Sequence, residues 1–121
     1  MNKNVAILGA SNHPDRYSHK AQLLLLKKGY SPILVNPTHQ EIDGIKCYTS
    51  LDAIIEPVHT LTVYVSPEIS SKLKKDILNF KCHRVIFNPG SENDSLYDDL
   101  RKNGVEVEEA CTLVLLNSGQ F

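Results

Sequence analysis

Short apolar runs, each followed by a small or polar turn residue, alternate with helix-like segments along the whole chain. Five such runs cover residues 5–8, 33–35, 61–65, 85–87 and 105–107. They are rich in β-branched residues and show no apolar–polar alternation, which is typical of strands buried on both faces of a parallel sheet. The alternation of strand and helix therefore predicts an α/β fold with right-handed crossover connections.

The segments between these runs predict helices. Residues 18–28 are rich in Leu, Lys and Gln and are followed by Gly29, a common helix stop. Ser66 followed by Pro67 is a favoured helix start. The apolar residues predicted on one face of that helix are Ile69, Leu73, Ile77 and Phe80. Further helical segments are predicted at 50–55, 94–103 and 111–116, and residues 38–50 are the least regular part.

Together these elements predict a Rossmann-like, doubly wound parallel sheet of about five strands with helices on both faces. A chain of 121 residues has the usual length of one domain, so we expect residues 1–121 to form a single domain.

Charge and cysteine content argue against several classes of protein. A formal net charge of −1 provides no strong field for nucleic acid or an anionic membrane, so neither is expected as a partner. Three cysteines without a C-x-x-C pair, and five histidines without an i, i+4 pair, predict no metal site. Reduced thiols, and no apolar stretch of signal-peptide or membrane-span length, predict a cytoplasmic protein.

The loops after the first four predicted strands share an unusual chemistry. In an open α/β sheet, ligands bind beyond the carboxyl ends of the strands, and these loops carry small or neutral polar residues and no early Asp or Glu. Gly9 permits a tight turn and Ser11 offers a hydroxyl, while the next helix offers unpaired N–H groups. Arg16 and Lys20 are the nearby cations. The chemistry of this edge therefore predicts a binding site for a phosphate-bearing nucleotide.

The same turn differs from the dinucleotide fingerprint. That fingerprint is G-x-G-x-x-G with an acidic residue near the end of the second strand. Here Gly9 is followed by Ser11 and Pro14 where the second and third glycines would stand, and Asn36 occupies the acidic position. The sequence therefore points away from NAD and towards a nucleotide whose phosphates are placed differently.

Several short motifs in fixed order carry a resemblance to a known family. They are Gly9-Ala10-Ser11, Pro14-x-Arg16-Tyr17-Ser18, Asn36-Pro37, Val65-Ser66-Pro67 and Asn88-Pro89-Gly90-Ser91. With the segment 44–48, they resemble the stand-alone CoA-binding domain proteins, relatives of the nucleotide-binding domain of the succinyl-CoA synthetase α subunit. The resemblance covers nearly the whole chain.

The resemblance implies a Rossmann-like domain that binds coenzyme A or an acyl-CoA at the carboxyl edge of the sheet. The glycine turn would lie near the phosphates, Asn36 and Pro37 near the adenosine, and the later loops further along the cleft. The phosphohistidine of the synthetase belongs to a separate domain and is not carried over. The residues expected to bind CoA are Gly9, Ala10, Ser11, Pro14, Arg16, Tyr17, Ser18, Lys20, Asn36, Pro37, Val65, Ser66, Pro67, Asn88, Pro89 and Gly90.

No catalytic set stands out in the sequence, so binding without catalysis is the favoured interpretation. A small NAD(P)-binding regulator and a subunit of an acyl-CoA-handling enzyme remain alternatives. His13 is a candidate phosphate donor. Cys111 begins the last predicted helix, where a thiol can be activated, but the neighbouring carboxylates oppose this. The apolar run at 113–116 leaves a homodimer or another protein partner open.

Overall fold

The computed structural model describes residues 2–121. These residues form one sheet whose strands are β1 (Asn4–Leu8), β2 (Ser31–Val35), β3 (Glu41–Ile42), β4 (Ile45–Tyr48), β5 (Thr60–Val63), β6 (Arg84–Phe87) and β7 (Glu106–Glu109). The α-helices are α1 (Tyr17–Lys27), α2 (Pro67–Lys72), α3 (Lys74–Asn79), α4 (Tyr97–Lys102) and α5 (Thr112–Asn117). Short 3₁₀ turns cover Leu51–Ala53 and Asp94–Leu96.

The strand order β3-β4-β2-β1-β5-β6-β7 makes the sheet doubly wound. Every neighbouring pair is parallel except β3 and β4. From β1 the chain first moves outward through β2 and then returns to build β5, β6 and β7 on the other side. The order therefore reverses between β1 and β5, and a crevice at the carboxyl ends of these two strands is the usual ligand position. The predicted α/β fold is confirmed.

Two apolar clusters cover the two faces of the sheet. Side chains of β1 alternate between them, because successive residues of a strand point to opposite faces. Val5 and Ile7 belong to the cluster that includes Leu25 of α1 and Leu116 of α5. Ala6 and Leu8 belong to the cluster on the other face, which includes Ile77 of α3 and Leu100 of α4. Burial on both faces explains the unbroken apolar runs in the sequence.

The segment that showed no regular pattern forms a β-hairpin, which extends the sheet beyond about five strands. β3 and β4 are joined by Asp43 and Gly44, with φ of 53° and 78°. Positive φ at both central residues is the geometry that tight hairpin turns require. The hairpin tip also contacts α1, because Asp43 Oδ2 lies 2.6 Å from His19 Nε2 and accepts a 3.2 Å hydrogen bond from Gln22 Nε2.

The prediction of one continuous helix after Ser66 is wrong. The helix is interrupted at Leu73, with φ −97° and ψ 14°, and Ile69 is 47% exposed instead of facing the core. Asn93, in the loop before α4, donates from Nδ2 to the Pro67 carbonyl at 3.1 Å and to Ser70 Oγ at 2.8 Å. This tertiary contact fixes the first turn of α2 against the loop before α4, and no local pattern encodes it.

The outer edges of the sheet are short or charged. β3 has two residues, and β7 has the sequence Glu-Val-Glu-Glu, with Glu106 and Glu109 exposed. Within residues 2–121, no helix is long and apolar enough to cross a membrane.

Candidate functional site

A cleft of about 620 Å³ lies at the carboxyl edge of the sheet, where the strand order reverses. The loop after β1 and the start of α1 form one wall, and the loops after β5 and β6 form the other. The lining residues are Gly9, Ala10, Ser11, His13, Arg16, Tyr17, Ser18, Asn36, His39, Tyr64, Val65, Ser66, Ile69, Pro89, Gly90 and Ser91.

Gly9 allows the loops after β1 and β5 to lie in contact. Its φ is +93°, a conformation that side-chain-bearing residues rarely adopt. A Cβ at this position would lie 3.0 Å from Val65 Cγ1 and 3.3 Å from the Tyr64 carbonyl carbon. Glycine is therefore needed here for two independent reasons, backbone conformation and space.

The first turn of α1 presents free N–H groups to the cleft. Arg16 at the N-cap makes no side-chain capping bond, and the first turn contains no acidic residue. Among the described residues, the N–H groups of Tyr17 and Ser18 have no acceptor. A helix start with unpaired N–H groups attracts anions, because these groups carry the positive end of the helix dipole.

The Gly9 turn itself offers fewer donors than the sequence suggests. The N–H groups of Gly9 and Ala10 both donate to the Val35 carbonyl at 3.1 Å. Ser11 Oγ accepts a 3.1 Å bond from the His13 N–H, which closes the turn that leads into α1. The N–H groups of Gly9 and Ala10 are therefore not available to a ligand, whereas those of Tyr17 and Ser18 are.

The charge around the cleft suits an anion. Among the described residues that line it, none is Asp or Glu. Arg16 is the one basic residue of the Lys or Arg type among them. His13 and His39 also line the cleft. One carboxylate bonds to the rim: Glu92 Oε1 accepts the Gly90 N–H at 2.8 Å.

The structure brings together most, but not all, of the residues expected to bind a ligand. Those that line the cleft are Gly9, Ala10, Ser11, Arg16, Tyr17, Ser18, Asn36, Val65, Ser66, Pro89 and Gly90. Those outside its lining are Pro14, Lys20, Pro37, Pro67 and Asn88. The expected set did not include the lining residues His39, Tyr64, Ile69 and Ser91, although Ser91 belongs to a quoted motif and Tyr64 directly precedes Val65.

Asn36 lines the cleft, but its amide is already engaged. Its Nδ2 donates to the Ala10 carbonyl at 2.7 Å, and its Oδ1 accepts from the Thr38 N–H and hydroxyl at 2.8 Å. The side chain thus holds the loops after β1 and β2 together. Its direct contribution to this site is to the shape of the wall.

Asn88 is 2% exposed and lies behind the cleft. Its Nδ2 donates to Thr62 Oγ1 at 2.7 Å and to the Val63 carbonyl at 2.9 Å. Its Oδ1 accepts the Thr112 N–H at 2.9 Å, which caps the start of α5. Asn88 therefore joins β5, β6 and α5 and supports the loops that form the cleft.

Tyr64 lines the cleft, but its hydroxyl is buried beside Thr62 and Thr112. Its Oη makes no hydrogen bond to the described residues. Burial raises the pKa of Tyr64 to about 12, so the side chain remains protonated at neutral pH. At neutral pH Tyr64 is therefore uncharged and cannot act as a base in the cleft.

A second cavity, of about 790 Å³, lies at the amino-terminal edge of the sheet. It is larger than the carboxyl-edge cleft. Its lining, however, contains the carboxylates of Asp52, Glu56 and Asp76. A 2.6 Å hydrogen bond from the Tyr48 hydroxyl lowers the pKa of Glu56, which keeps this carboxylate charged. Like charges repel, so this cavity does not suit a polyphosphate. Position and charge favour the cleft at the carboxyl edge.

The doubly wound sheet and its switch-point cleft define an α/β protein of the Rossmann type, with the cleft where this class binds nucleotides. Residues 3–117 match the sequence profile of the CoA binding domain family, and the chain belongs to that family. The resemblance noted in the sequence is thus confirmed across nearly the whole chain.

The chain is also similar to several other proteins. The Bacillus subtilis "Uncharacterized protein YneT" is 30% identical over 105 residues, which is 87% of this chain and 78% of that protein. A crystal structure of an uncharacterized protein superposes with a TM-score of 0.92 at 37% identity, covering 100% of this chain and 99% of the other. A Thermus thermophilus protein superposes with a TM-score of 0.89 at 28% identity, covering 99% and 91%.

Proposed function

We propose that this protein binds coenzyme A or an acyl-CoA in the carboxyl-edge cleft without changing it chemically. The observation that carries the proposal is the uncapped start of α1, where the N–H groups of Tyr17 and Ser18 face an acid-free cleft. Membership of the CoA binding domain family supports the same ligand. The CoA pyrophosphate would accept these hydrogen bonds, with Arg16 beside it.

The opposite wall suits the pantetheine arm. Val65 and Ile69 line the cleft, and Ile69 is 47% exposed although it is a large apolar side chain. The methyl and methylene groups of the extended arm would cover this surface, and removing apolar area from water favours the complex.

The engagement of Asn36 argues against NAD. A dinucleotide site of this fold uses a carboxylate after the second strand to accept hydrogen bonds from the ribose hydroxyls. Here Oδ1 of Asn36 already accepts two bonds from Thr38, so no comparable acceptor faces a ribose. This observation supports CoA over the NAD(P)-binding alternative.

Thermal unfolding with different ligands tests the proposal. A ligand at about 100 times its Kd adds about 2.7 kcal/mol to the stability of the folded state. For a domain of this length, CoA or acetyl-CoA should therefore raise Tm by about 10 °C. NAD and NADP at the same concentration should raise it by less than about 2 °C.

Two results would contradict the proposal in different ways. If neither CoA nor acetyl-CoA raised Tm at millimolar concentration, the binding claim would be wrong. Mass spectrometry of acetyl-CoA incubated with the protein should show the ester intact. Turnover above the protein-free rate would instead favour an acyl-CoA-handling enzyme.

Arg16→Ala should weaken CoA binding about fivefold at low salt, because the guanidinium would pair with a phosphate. The difference from the unaltered protein should shrink at about 0.5 M salt, where charges are screened. Lys27→Ala, at the opposite end of α1, is the matched control and should leave the calorimetric Kd unchanged. An Arg16→Ala variant that matched the control would remove Arg16 from the site.

A further inference from the structure

We propose, building on the proposed CoA function, that Tyr17 stacks on the adenine and Lys20 contacts the 3′-phosphate, so that the protein selects CoA over dephospho-CoA. Both side chains lie near the outer end of the cleft, where the first turn of α1 is exposed to solvent. Together they would bind the adenosine 3′-phosphate end of the ligand from one face of the helix.

Tyr17 has the properties of a base platform. It is the first residue of α1, lines the cleft and is 67% exposed. A large aromatic ring left in water gains from covering its face, and nucleotide bases stack on such rings. Its backbone N–H also lies at the proposed pyrophosphate position, so one residue would contact two neighbouring parts of the ligand.

Lys20 lies one helical turn after Tyr17. Its Nζ is 5.4 Å from the centroid of the Tyr17 ring, within cation–π range. Among the described residues, Lys20 forms no ion pair within 4.0 Å. The ammonium group is therefore free to approach an anion at the cleft mouth. Unlike Arg16, Lys20 does not belong to the lining of the cleft itself.

The positions of these groups along α1 match the order of charges in the ligand. The helix start would hold the pyrophosphate, and the adenine on Tyr17 would bring its ribose towards the next turn. Residues three apart on a helix are neighbours on its surface. A phosphate on the ribose 3′-oxygen would therefore meet Lys20, and dephospho-CoA lacks this phosphate.

Binding of three ligands separates these roles. NMR titration of labelled protein, which measures millimolar constants, would use CoA, dephospho-CoA and 4′-phosphopantetheine. The unaltered protein should bind CoA about threefold more tightly than dephospho-CoA at low salt. Lys20→Ala should weaken CoA about threefold, leave dephospho-CoA unchanged and so abolish the preference.

Tyr17 has its own ligand signature. Tyr17→Ala should weaken CoA and dephospho-CoA about tenfold each, and should leave 4′-phosphopantetheine within about twofold because that ligand has no base. Tyr17→Phe keeps the ring and should bind all three ligands like the unaltered protein. Lys27→Ala is again the control for loss of a lysine from α1.

Three outcomes would overturn the assignment. They are equal weakening of all three ligands by Tyr17→Ala, equal weakening of CoA and dephospho-CoA by Lys20→Ala, and no preference between those two ligands in the unaltered protein. If none of the ligands bound the unaltered protein, the proposed function itself would fail, and the subsite with it.

Discussion

Replacement of Gly9 by alanine is expected to lower the free energy of unfolding by about 3 kcal/mol and Tm by about 10 °C. The new Cβ would meet Val65 Cγ1 at 3.0 Å and the Tyr64 carbonyl carbon at 3.3 Å, while the backbone would have to keep a φ of +93°. Domains of this kind have a total stability of about 5–15 kcal/mol, so the loss is a large fraction of it. Urea unfolding followed by circular dichroism measures the change.

Gly29→Ala separates the two causes. Gly29 has a similar φ of +87°, but nothing lies within 4 Å of a Cβ built there. This control should lose about 1 kcal/mol, from backbone conformation alone. The excess loss in Gly9→Ala then measures the collision between the loops after β1 and β5. Similar losses in the two variants would mean that the loops can move apart freely.

Gly9→Ala should also weaken the proposed binding of CoA, by at least about tenfold in the protein that remains folded at low temperature. The collision displaces Val65 or Tyr64, which both line the cleft. Gly29 lies at the far end of α1, so Gly29→Ala should bind CoA normally. Normal CoA binding by Gly9→Ala would contradict the placement of the ligand between these loops.

Asn88→Ala is expected to lower the free energy of unfolding by about 3 kcal/mol. The substitution removes three buried hydrogen bonds and leaves the Thr112 N–H without an acceptor at the start of α5. An unsatisfied buried donor costs about 1–3 kcal/mol, and the missing side chain adds a small cavity. Thermal and urea unfolding should both report the loss.

Asn103→Ala is the matched control, because the Asn103 amide makes one exposed hydrogen bond, to the Leu78 carbonyl. It should change stability by less than about 1 kcal/mol. CoA binding then tests the role of Asn88: a supporting residue should leave Kd within about threefold in the folded variant. A loss of affinity much larger than that, with little loss of stability, would mean that Asn88 contacts the ligand directly.

The central part of the fold could be predicted because local pattern and tertiary environment agree there. Runs such as 5–8 and 85–87 lie in the sheet centre and are apolar on both faces, so their sequence reflects their burial directly. The hairpin at Asp43 and Gly44 was missed, although an Asp-Gly pair is a strong turn signal. Its flanking strands are too short to show a period.

The break at Leu73 could not be predicted from local sequence. The apolar spacing from Ile69 to Phe80 fits one helix, but the contact from Asn93 to the first turn of α2 comes from a distant segment. Contacts with distant segments leave no trace in the local apolar periodicity.

The candidate site shows the same division. The loops after the strands identified Gly9, Ser11 and Val65 because the topology brings those loops to one edge. The sequence could not show that the amides of Asn36 and Asn88 form hydrogen bonds within the protein. An asparagine in a loop is equally compatible with a bond to a ligand or to a neighbouring loop. Their roles depend on partners that are distant along the chain.

The acidic strand β7 bears on how this chain can meet its own copies. An exposed strand edge is a template on which another sheet can add, and natural proteins block such growth with charge. Two copies approaching edge to edge would each present Glu106, Glu108 and Glu109 to the other. Mutual repulsion between these carboxylates therefore disfavours growth of the sheet through β7 into fibrous polymers.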